Sequence, residues 1–516
     1  MIVSKPSARD LLFENPIHHG ERIAVAETDT KSGKVHFKET SYKQLYALVD
    51  KFEAGLEDRG IGKGDRIVLL GRNNPAMVAS LIACWRKQAI AMPIDFRLTQ
   101  MEVLNIADKV EAKLVIVAES YPDQGELNKQ LNERKLPNST FLEFETQAGE
   151  PCKTRESGSA SSCDFDFQAL VILTSGTTGM PKGAVHTFSS LIENLKELTT
   201  FVKMDENKQM VLPLPISHIF GLEILFITLL FGGKVILSDL DPASMIACIN
   251  NYKPQIIAGV PTIYGALLSA GADKVDLSDA EVLLSGGAPL PINMARQFEA
   301  EFGRRLNNGY GSTESKLICL NIDGPLESIG RPIPSARINV IGSDGKTLAE
   351  GLEGEVFIDC PLVMQGYLDQ PEKSQDVLTE NGYKTGDIGY VKDGFVFISG
   401  RAKEMIIVAG NKVFPFEVED ALSKHPLVKE VAVTGVDHSR LGQIVKATLV
   451  IGDCILSEKL CGQDKSSTRE EILTSLKKFS KESLKRELRP MVWELRPLSE
   501  PLPKTRTGKI DKKLLS

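Results

Sequence analysis

The sequence predicts an α/β protein. A large N-terminal domain, residues 1–402, combines two α/β subdomains with a small β-rich one, and a small α+β domain follows at 403–516. Three observations predict this. Helical stretches alternate with short apolar runs in two successive regions, the pattern of mostly parallel sheets covered by helices. Beyond Gly330 the pattern shortens to strands separated by turn signals, and after Gly400-Arg401-Ala402-Lys403 strand and helix alternate again. At 516 residues the chain also exceeds what one core serves, since domains hold roughly 100–200 residues each.

In order along the chain, Ser41 to Gly60 carries Leu45, Leu48, Val49, Phe52 and Leu56 at helical spacing. Ser41 and Gln44 form a capping-box pattern, and Gly60 supplies the stop. Arg66 to Leu70 reads as a strand, Pro75 to Lys87 as a helix with proline in its first turn, and Ala89 to Ile94 as another strand. Thr99 with Glu102 caps the next helix, and Leu114 to Ala118 is again a strand. Gln147 to Asp164 is Gly, Ser, Pro, Cys and charge without periodicity, an exposed loop or a seam between subdomains. Ala169 to Leu173 reads as a buried strand. In the second α/β run Lys234–Ser238, Gln255–Val260 and Glu281–Ser285 read as strands, with helices around 242–250, 261–270 and 291–303. Ala336–Ile341, Glu355–Asp359 and a hairpin over Gly389–Ser399, turning at Asp393-Gly394, make the β-rich subdomain. In the last domain Glu430–Thr434 and Ile444–Val450 are strands and Ser467–Glu487 is helical.

Composition excludes several classes. Hydrophobic residues make up 42% and charged residues 25%, ordinary for a globular chain, and the net charge of −7 points away from a nucleic-acid partner. The eight cysteines contain no Cys-x-x-Cys pair and the seven histidines do not cluster beside them, so neither a zinc site nor a disulfide scaffold is expected. Met1 to Asp10 lacks the apolar core of a signal peptide. The longest apolar run, Ile224 to Phe231, is broken by Thr228 and falls far short of the roughly 20 residues of a membrane span. It reads as a buried helix or strand. The expectation is a cytoplasmic protein.

Chemistry concentrates in Leu173-Thr174-Ser175-Gly176-Thr177-Thr178-Gly179-Met180-Pro181-Lys182-Gly183. Glycines let backbone N–H groups approach a ligand closely, hydroxyls add rotatable donors, and Lys182 adds positive charge, which together suit phosphate oxygens. A surface turn with a solvated lysine is the plainer alternative. The loop is not a Walker A sequence, because Pro181 stands where that motif needs glycine. Asn308-Gly309-Tyr310-Gly311-Ser312-Thr313-Glu314-Ser315 offers a stacking face in Tyr310 and hard oxygens for Mg²⁺ in Glu314, or else a β-turn with one exposed acid. In Thr385-Gly386-Asp387 the aspartate can accept two hydroxyls, or cap a turn.

These segments, in this order, resemble the signatures of the adenylate-forming enzymes, the superfamily of acyl-CoA synthetases, adenylation domains and firefly-type luciferases. The resemblance covers nearly the whole chain. It implies that Thr174, Ser175, Gly176, Thr177, Thr178, Gly179 and Lys182 bind the phosphates of ATP, with Thr178 and Glu314 at Mg²⁺. Gly287, Ala288, Asn308, Gly309, Tyr310, Gly311, Ser312 and Thr313 would bind ATP or AMP, with Tyr310 and the Gly287-Ala288 segment at adenine, Asp387 would take the ribose, and Arg401 would reach ribose and phosphate. His218, Val260 and Gly286 would line the acid tunnel, although a lone histidine in an apolar stretch also suits a hydrogen-bonded core position. Lys403, otherwise a solvated linker lysine, falls at the family's hinge and makes the C-terminal domain mobile. Gly410 lies in the segment presented for the second half-reaction, where the commoner family form has paired glycines and this chain has Ala409-Gly410. Lys509, in Pro503-Lys504-Thr505-Arg506-Thr507-Gly508-Lys509, matches the catalytic lysine, on a tail that otherwise reads as solvated.

The implied activity is an ATP- and Mg²⁺-dependent ligation of a carboxylic acid, fatty or aryl, to coenzyme A through an acyl-adenylate. Two alternatives stand beside it: loading of the pantetheine thiol of an acyl or peptidyl carrier protein, and a catalytically silent binding module. Ile219 to Glu223 lack the aspartate with which amino-acid-activating relatives pair a substrate amine, which disfavours an α-amino acid.

Overall fold

The computed structural model describes residues 7–29, 36–146, 165–174, 181–452, 465–505 and 510–515, with backbone alone at 465–468. The 147–164 segment, the 175–180 part of the glycine-rich loop and Lys509 lie outside the described residues.

The fold is mixed α/β, with a large N-terminal domain and a small C-terminal one. Two sheets organise the large domain. In the first, strands run spatially in the order Gly366–Tyr367, Lys182–Thr187, Gln168–Thr174, Ile90–Ile94, Arg66–Leu70, Leu114–Val117 and Asn138–Thr140. The pairs from Gln168–Thr174 to Asn138–Thr140 are parallel, and the Lys182–Thr187 edge is antiparallel. The second sheet has nine strands, from Arg331–Pro332 through Lys316–Asn321, Leu306–Ser312, Val282–Ser285, Ile256–Gly259, Gln209–Leu212 and Lys234–Leu237 to Ile23–Asp29 and His36–Ser41.

The two sheets are not built from two consecutive stretches of chain, as the sequence reading had it. The N-terminal hairpin of Ile23–Asp29 and His36–Ser41 completes the later sheet, with Val25 beside Val235, whereas Gln168–Thr174 joins the earlier one. Alternation of helix and strand reports local structure and carries no information about which sheet a strand enters.

Between the sheets lie helices that are apolar on every side. In Pro75–Arg86 every residue from Pro75 to Trp85 is buried, and Ile219–Leu230 is buried except at Phe220, so the 224–231 run is helix rather than strand. Trp85 centres this layer, its ring 4.6 Å from that of Phe226 and 5.3 Å from that of Phe188, while its indole N–H donates to the Ala169 carbonyl at 2.9 Å.

The expected caps are present. Ser41 and Gln44 close a capping box on Tyr42–Asp58, and Thr99 and Glu102 close one on Gln100–Lys109. The β-rich unit is an antiparallel sheet of Arg337–Ile341, Gly354–Asp359, Leu378–Thr379, Gly382–Lys392 and Phe395–Arg401. Asp393 and Gly394 both take positive φ at its hairpin turn (53° and 74°), as a two-residue turn of that kind requires. The C-terminal domain has its own core, in which Ile406, Val413, Val418, Leu422, Leu449, Leu476 and Leu488 are buried together. Its helix runs Lys465–Ser483, ending four residues earlier than the pattern suggested. Arg489 takes over the freed carbonyls there, donating to Leu484 and Lys481 oxygens at 2.9 Å each. Asp420 of this domain accepts from the Ile292 N–H of the large domain at 3.1 Å.

Candidate functional site

The glycine-rich loop joins antiparallel neighbours. Thr174 and Lys182 sit opposite one another where the chain leaves and returns. Lys182 Nζ stands 4.5 Å from the centroid of the Tyr367 ring. The Tyr367 hydroxyl donates to Glu314 Oε1 at 2.8 Å, and the Met364 N–H donates to the Glu314 carbonyl at 2.7 Å. Burial, and then the Glu314 charge, push the Tyr367 phenol above its ordinary range, so it remains the donor.

Asn308 to Ser312 form the end of a strand, Leu306–Ser312, which pairs with Lys316–Asn321, and Glu314 is half-buried in the turn between them. The reading of a turn with an exposed acid therefore does not hold. Glycine is obligatory at 311, where a Cβ would lie 2.0 Å from the Lys316 carbonyl oxygen. Along the same strand Tyr310 donates to Asp387 Oδ2 at 2.5 Å, and Arg401 Nε meets Asp387 Oδ1 at 2.8 Å. The Arg401 guanidinium also donates to the Thr385 carbonyl at 3.0 Å, and Asp387 and Arg401 face each other across neighbouring strands. Burial raises the Asp387 pKa against the opposing pull of Arg401 and Tyr310. Three sheets thus bring Lys182, Tyr367, Glu314, Tyr310, Asp387 and Arg401 into two linked clusters. Tyr383 lies between them: its hydroxyl accepts from Ser312 at 3.4 Å, and the charges of Glu314, Arg401 and Asp387 all bear on it.

A third group lies at the start of Ile219–Leu230. His218 precedes the helix, with Nε2 3.6 Å from Asp95 Oδ2, an ion-pair distance beyond a hydrogen bond. Arg97 grips both Asp95 oxygens, at 2.9 and 2.7 Å. Burial acts to raise the Asp95 pKa, but His218 and Arg97 outweigh it and hold the carboxyl well below the usual range. Gly286 and Gly287 pack closely against the residues around this group. A Cβ on Gly286 would stand 3.0 Å from the Phe220 ring, and one on Gly287, whose φ is +76°, would touch Val260 Cγ1 at 3.5 Å. Ala288 is half-buried beside them, and Asn308 Nδ2 donates to the Ser328 carbonyl at 3.5 Å.

Other candidates stand elsewhere. Lys403 is exposed in a 3-10 turn, Ala402–Glu404, where its charge still bears on Asp387. Gly410 is exposed with φ +86° in the turn between Ile406–Val408 and Asn411–Val413, and Ala409 before it takes φ +49° despite its methyl group. Ser175, Gly176, Thr177, Thr178, Gly179 and Lys509 lie outside the described residues. Below that last lysine, Lys504 bridges Ile510 across the tail, Lys504 pairs with Glu430 at 2.7 Å, and Lys512 pairs with Glu419 at 2.7 Å.

Sequence reasoning missed Asp95, Arg97 and Tyr367, and a fully buried trio of Glu223, Lys316 and His186. One signal was available: Glu223 is the single charge in an otherwise apolar helix. Burial raises the pKa of Glu223 and lowers those of Lys316 and His186.

Chemically, the two clusters offer a cation at Lys182, a carboxylate at Glu314 and a second carboxylate flanked by an aromatic ring and a guanidinium. With Oε1 of Glu314 taken by a phenol hydroxyl, its other oxygen suits a hard cation. Comparison with known proteins agrees in kind. The model of the AMP-binding enzyme family matches residues 13–368, and that of the AMP-binding enzyme C-terminal domain matches residues 417–509. A feruloyl-CoA synthase of Amycolatopsis is 31% identical over 422 residues, 80% of this chain and 84% of that one. A 2-succinylbenzoate–CoA ligase of Bacillus pumilus is 30% identical over 440 residues, 83% of this chain and 85% of that one. Among solved structures, the o-succinylbenzoate CoA synthetase of Bacillus subtilis, in complex with its acyl-adenylate intermediate, superposes with a TM-score of 0.82 at 24% identity, covering 98% of this chain and 97% of that one.

Proposed function

Because the chain belongs to the AMP-binding enzyme family, we propose that it is an AMP-forming acid–thiol ligase, which joins a fatty or aryl acid to coenzyme A through an acyl-adenylate. A substrate carboxylate oxygen attacks the α-phosphorus of ATP, the bond to pyrophosphate breaks, and acyl-AMP remains. The thiol of coenzyme A then attacks the acyl carbon, and AMP leaves with the bonding electrons.

The residues divide the work. Thr174, the 175–179 loop and Lys182 hold the triphosphate, and Tyr310 with Gly286, Gly287 and Ala288 flank the base. Glu314 and Thr178 would hold Mg²⁺, which when bound neutralises charge on the phosphate oxygens. Asp387 accepts the ribose hydroxyls at the lone pairs that Tyr310 and Arg401, one on each oxygen, leave over. His218, beside Asp95, stands by the acid's carboxylate, with Val260 and Gly286 along the tunnel. Lys509 meets the charge that develops in the in-line attack. A boundary at Lys403 lets residues 403–516 turn between the steps, bringing Gly410 toward the thiol path.

One observation carries this reading: Lys182, Glu314 and the Tyr310–Asp387–Arg401 group converge from three sheets in a chain whose relatives are named CoA ligases. The two relatives quoted act by name on aryl acids, which supports that class of substrate. The test is incubation of the protein with ATP, Mg²⁺, coenzyme A and a panel of aryl and fatty acids, followed by mass detection of products. The reading expects an acyl-CoA. Transfer only to the pantetheine arm of a carrier protein would replace coenzyme A as acceptor, and no product from any acid would favour a silent binding module.

A further inference from the structure

Behind the Thr313–Glu314 turn lies the buried trio to which the ligation chemistry assigns no task. Lys316 is fully buried, and its backbone sits in the left-handed region at φ +63°, where a side chain other than glycine is strained. Its ammonium donates to His186 Nδ1 at 3.3 Å, to Ser190 Oγ at 3.5 Å and to the Leu362 carbonyl. Because Nδ1 accepts, the imidazole proton is on Nε2, which donates to the Thr313 carbonyl at 2.8 Å. From the middle of its apolar helix Glu223 turns both oxygens to the Leu317 N–H, at 3.1 and 3.2 Å, next in the chain to the lysine.

Three of these links end on backbone that surrounds Glu314: those to the Leu362 and Thr313 carbonyls and to the Leu317 N–H. Leu362 begins the segment whose Met364 N–H and Tyr367 hydroxyl bind Glu314, His186 belongs to the strand that begins at Lys182, and Thr313 and Leu317 flank the turn itself. Buried polar and charged groups add little net stability compared with apolar packing, but hydrogen-bonded in a network they can fix one arrangement of the groups they bond. Strained backbone held by such a network is found where geometry matters to function.

We propose that Lys316, linked through His186 to Thr313 and flanked by Glu223 on the Leu317 N–H, is a positioning residue that holds the Thr313–Glu314 turn in place to meet Mg²⁺–ATP. The proposal rests on the ligase reading, in which Glu314 faces the metal. It is tested by calorimetric titration of ATP into the full chain, with Mg²⁺ and with chelator. Two variants are compared with wild type. The double variant E223Q/K316M removes both charges so that neither is stranded, and H186F keeps the ring but loses the bond to Thr313. The gain in ATP affinity that Mg²⁺ confers should fall about tenfold or more in each, as when an outer partner of a metal ligand is removed. Affinity for metal-free ATP and the rate of thiolation of supplied acyl-adenylate should stay at wild-type values. A wild-type Mg²⁺ gain in both variants would overturn the proposal. So would an equal loss of metal-free affinity and thiolation, or failure of both to fold, since the trio would then serve only the core. Wild-type protein whose ATP affinity ignores Mg²⁺ would instead bring down the assignment of Glu314, and the positioning claim with it.

Discussion

Asp387 meets two donors before any nucleotide arrives: the Tyr310 hydroxyl on one oxygen and the Arg401 guanidinium on the other. A carboxylate so held is oriented in advance and keeps acceptor sites on both oxygens. Asp387→Asn keeps the shape but weakens its acceptors, and a hydrogen bond to a charged group contributes about 1.5–3 kcal/mol. The KM for ATP should therefore rise by about tenfold or more, measured at saturating acid; an unchanged KM would remove Asp387 from the ribose site. At this scale the sequence showed residues whose neighbours in the chain form a motif, such as Tyr310, Glu314, Asp387 and Lys182. It hid those defined by distant partners. Asp95 takes its place in the site from His218, and Tyr367 from Lys182 and Glu314, across separations that no local pattern records.

At the scale of elements, caps and turns were legible because their chemistry is local. The Ser41 side chain accepts from the Gln44 N–H at 3.2 Å, and the Gln44 side chain accepts from the Ser41 N–H at 2.8 Å. Ser41→Ala should cost about 1 kcal/mol of stability, read from the denaturant midpoint, with ATP-dependent activity intact because Ser41 touches nothing in the site. A shift near zero would mean that the box is not formed. The Leu306–Ser312 and Lys316–Asn321 hairpin was not legible: its first strand carries Gly309 and Gly311, which in the sequence suit a ligand-facing cluster or a β-turn rather than a strand. There the glycines serve close approach, with Leu284 and Leu317 around Gly309 and the Lys316 carbonyl against Gly311.

For the whole molecule, the arrangement of strands between sheets could not be read along the chain, because it depends on which apolar faces cover which helices. The proposed division at Lys403 makes predictions of its own. Lys509→Ala should cripple adenylate formation, by the hundredfold or more typical of a lost charge-stabilising donor, yet spare thiolation of preformed adenylate. Equal loss in both steps would contradict its role. Lys403→Pro, which restricts the backbone within the Ala402–Glu404 turn, should slow thioester formation more than adenylation, and an unaltered thioester rate would dismiss the hinge. The most direct test of the central claim is acid-dependent exchange of labelled pyrophosphate into ATP, run without any thiol across aryl and fatty acids. The account predicts exchange with at least one acid and loss of that exchange in Lys509→Ala. No exchange with any acid, or exchange that needs neither acid nor Lys509, would contradict it.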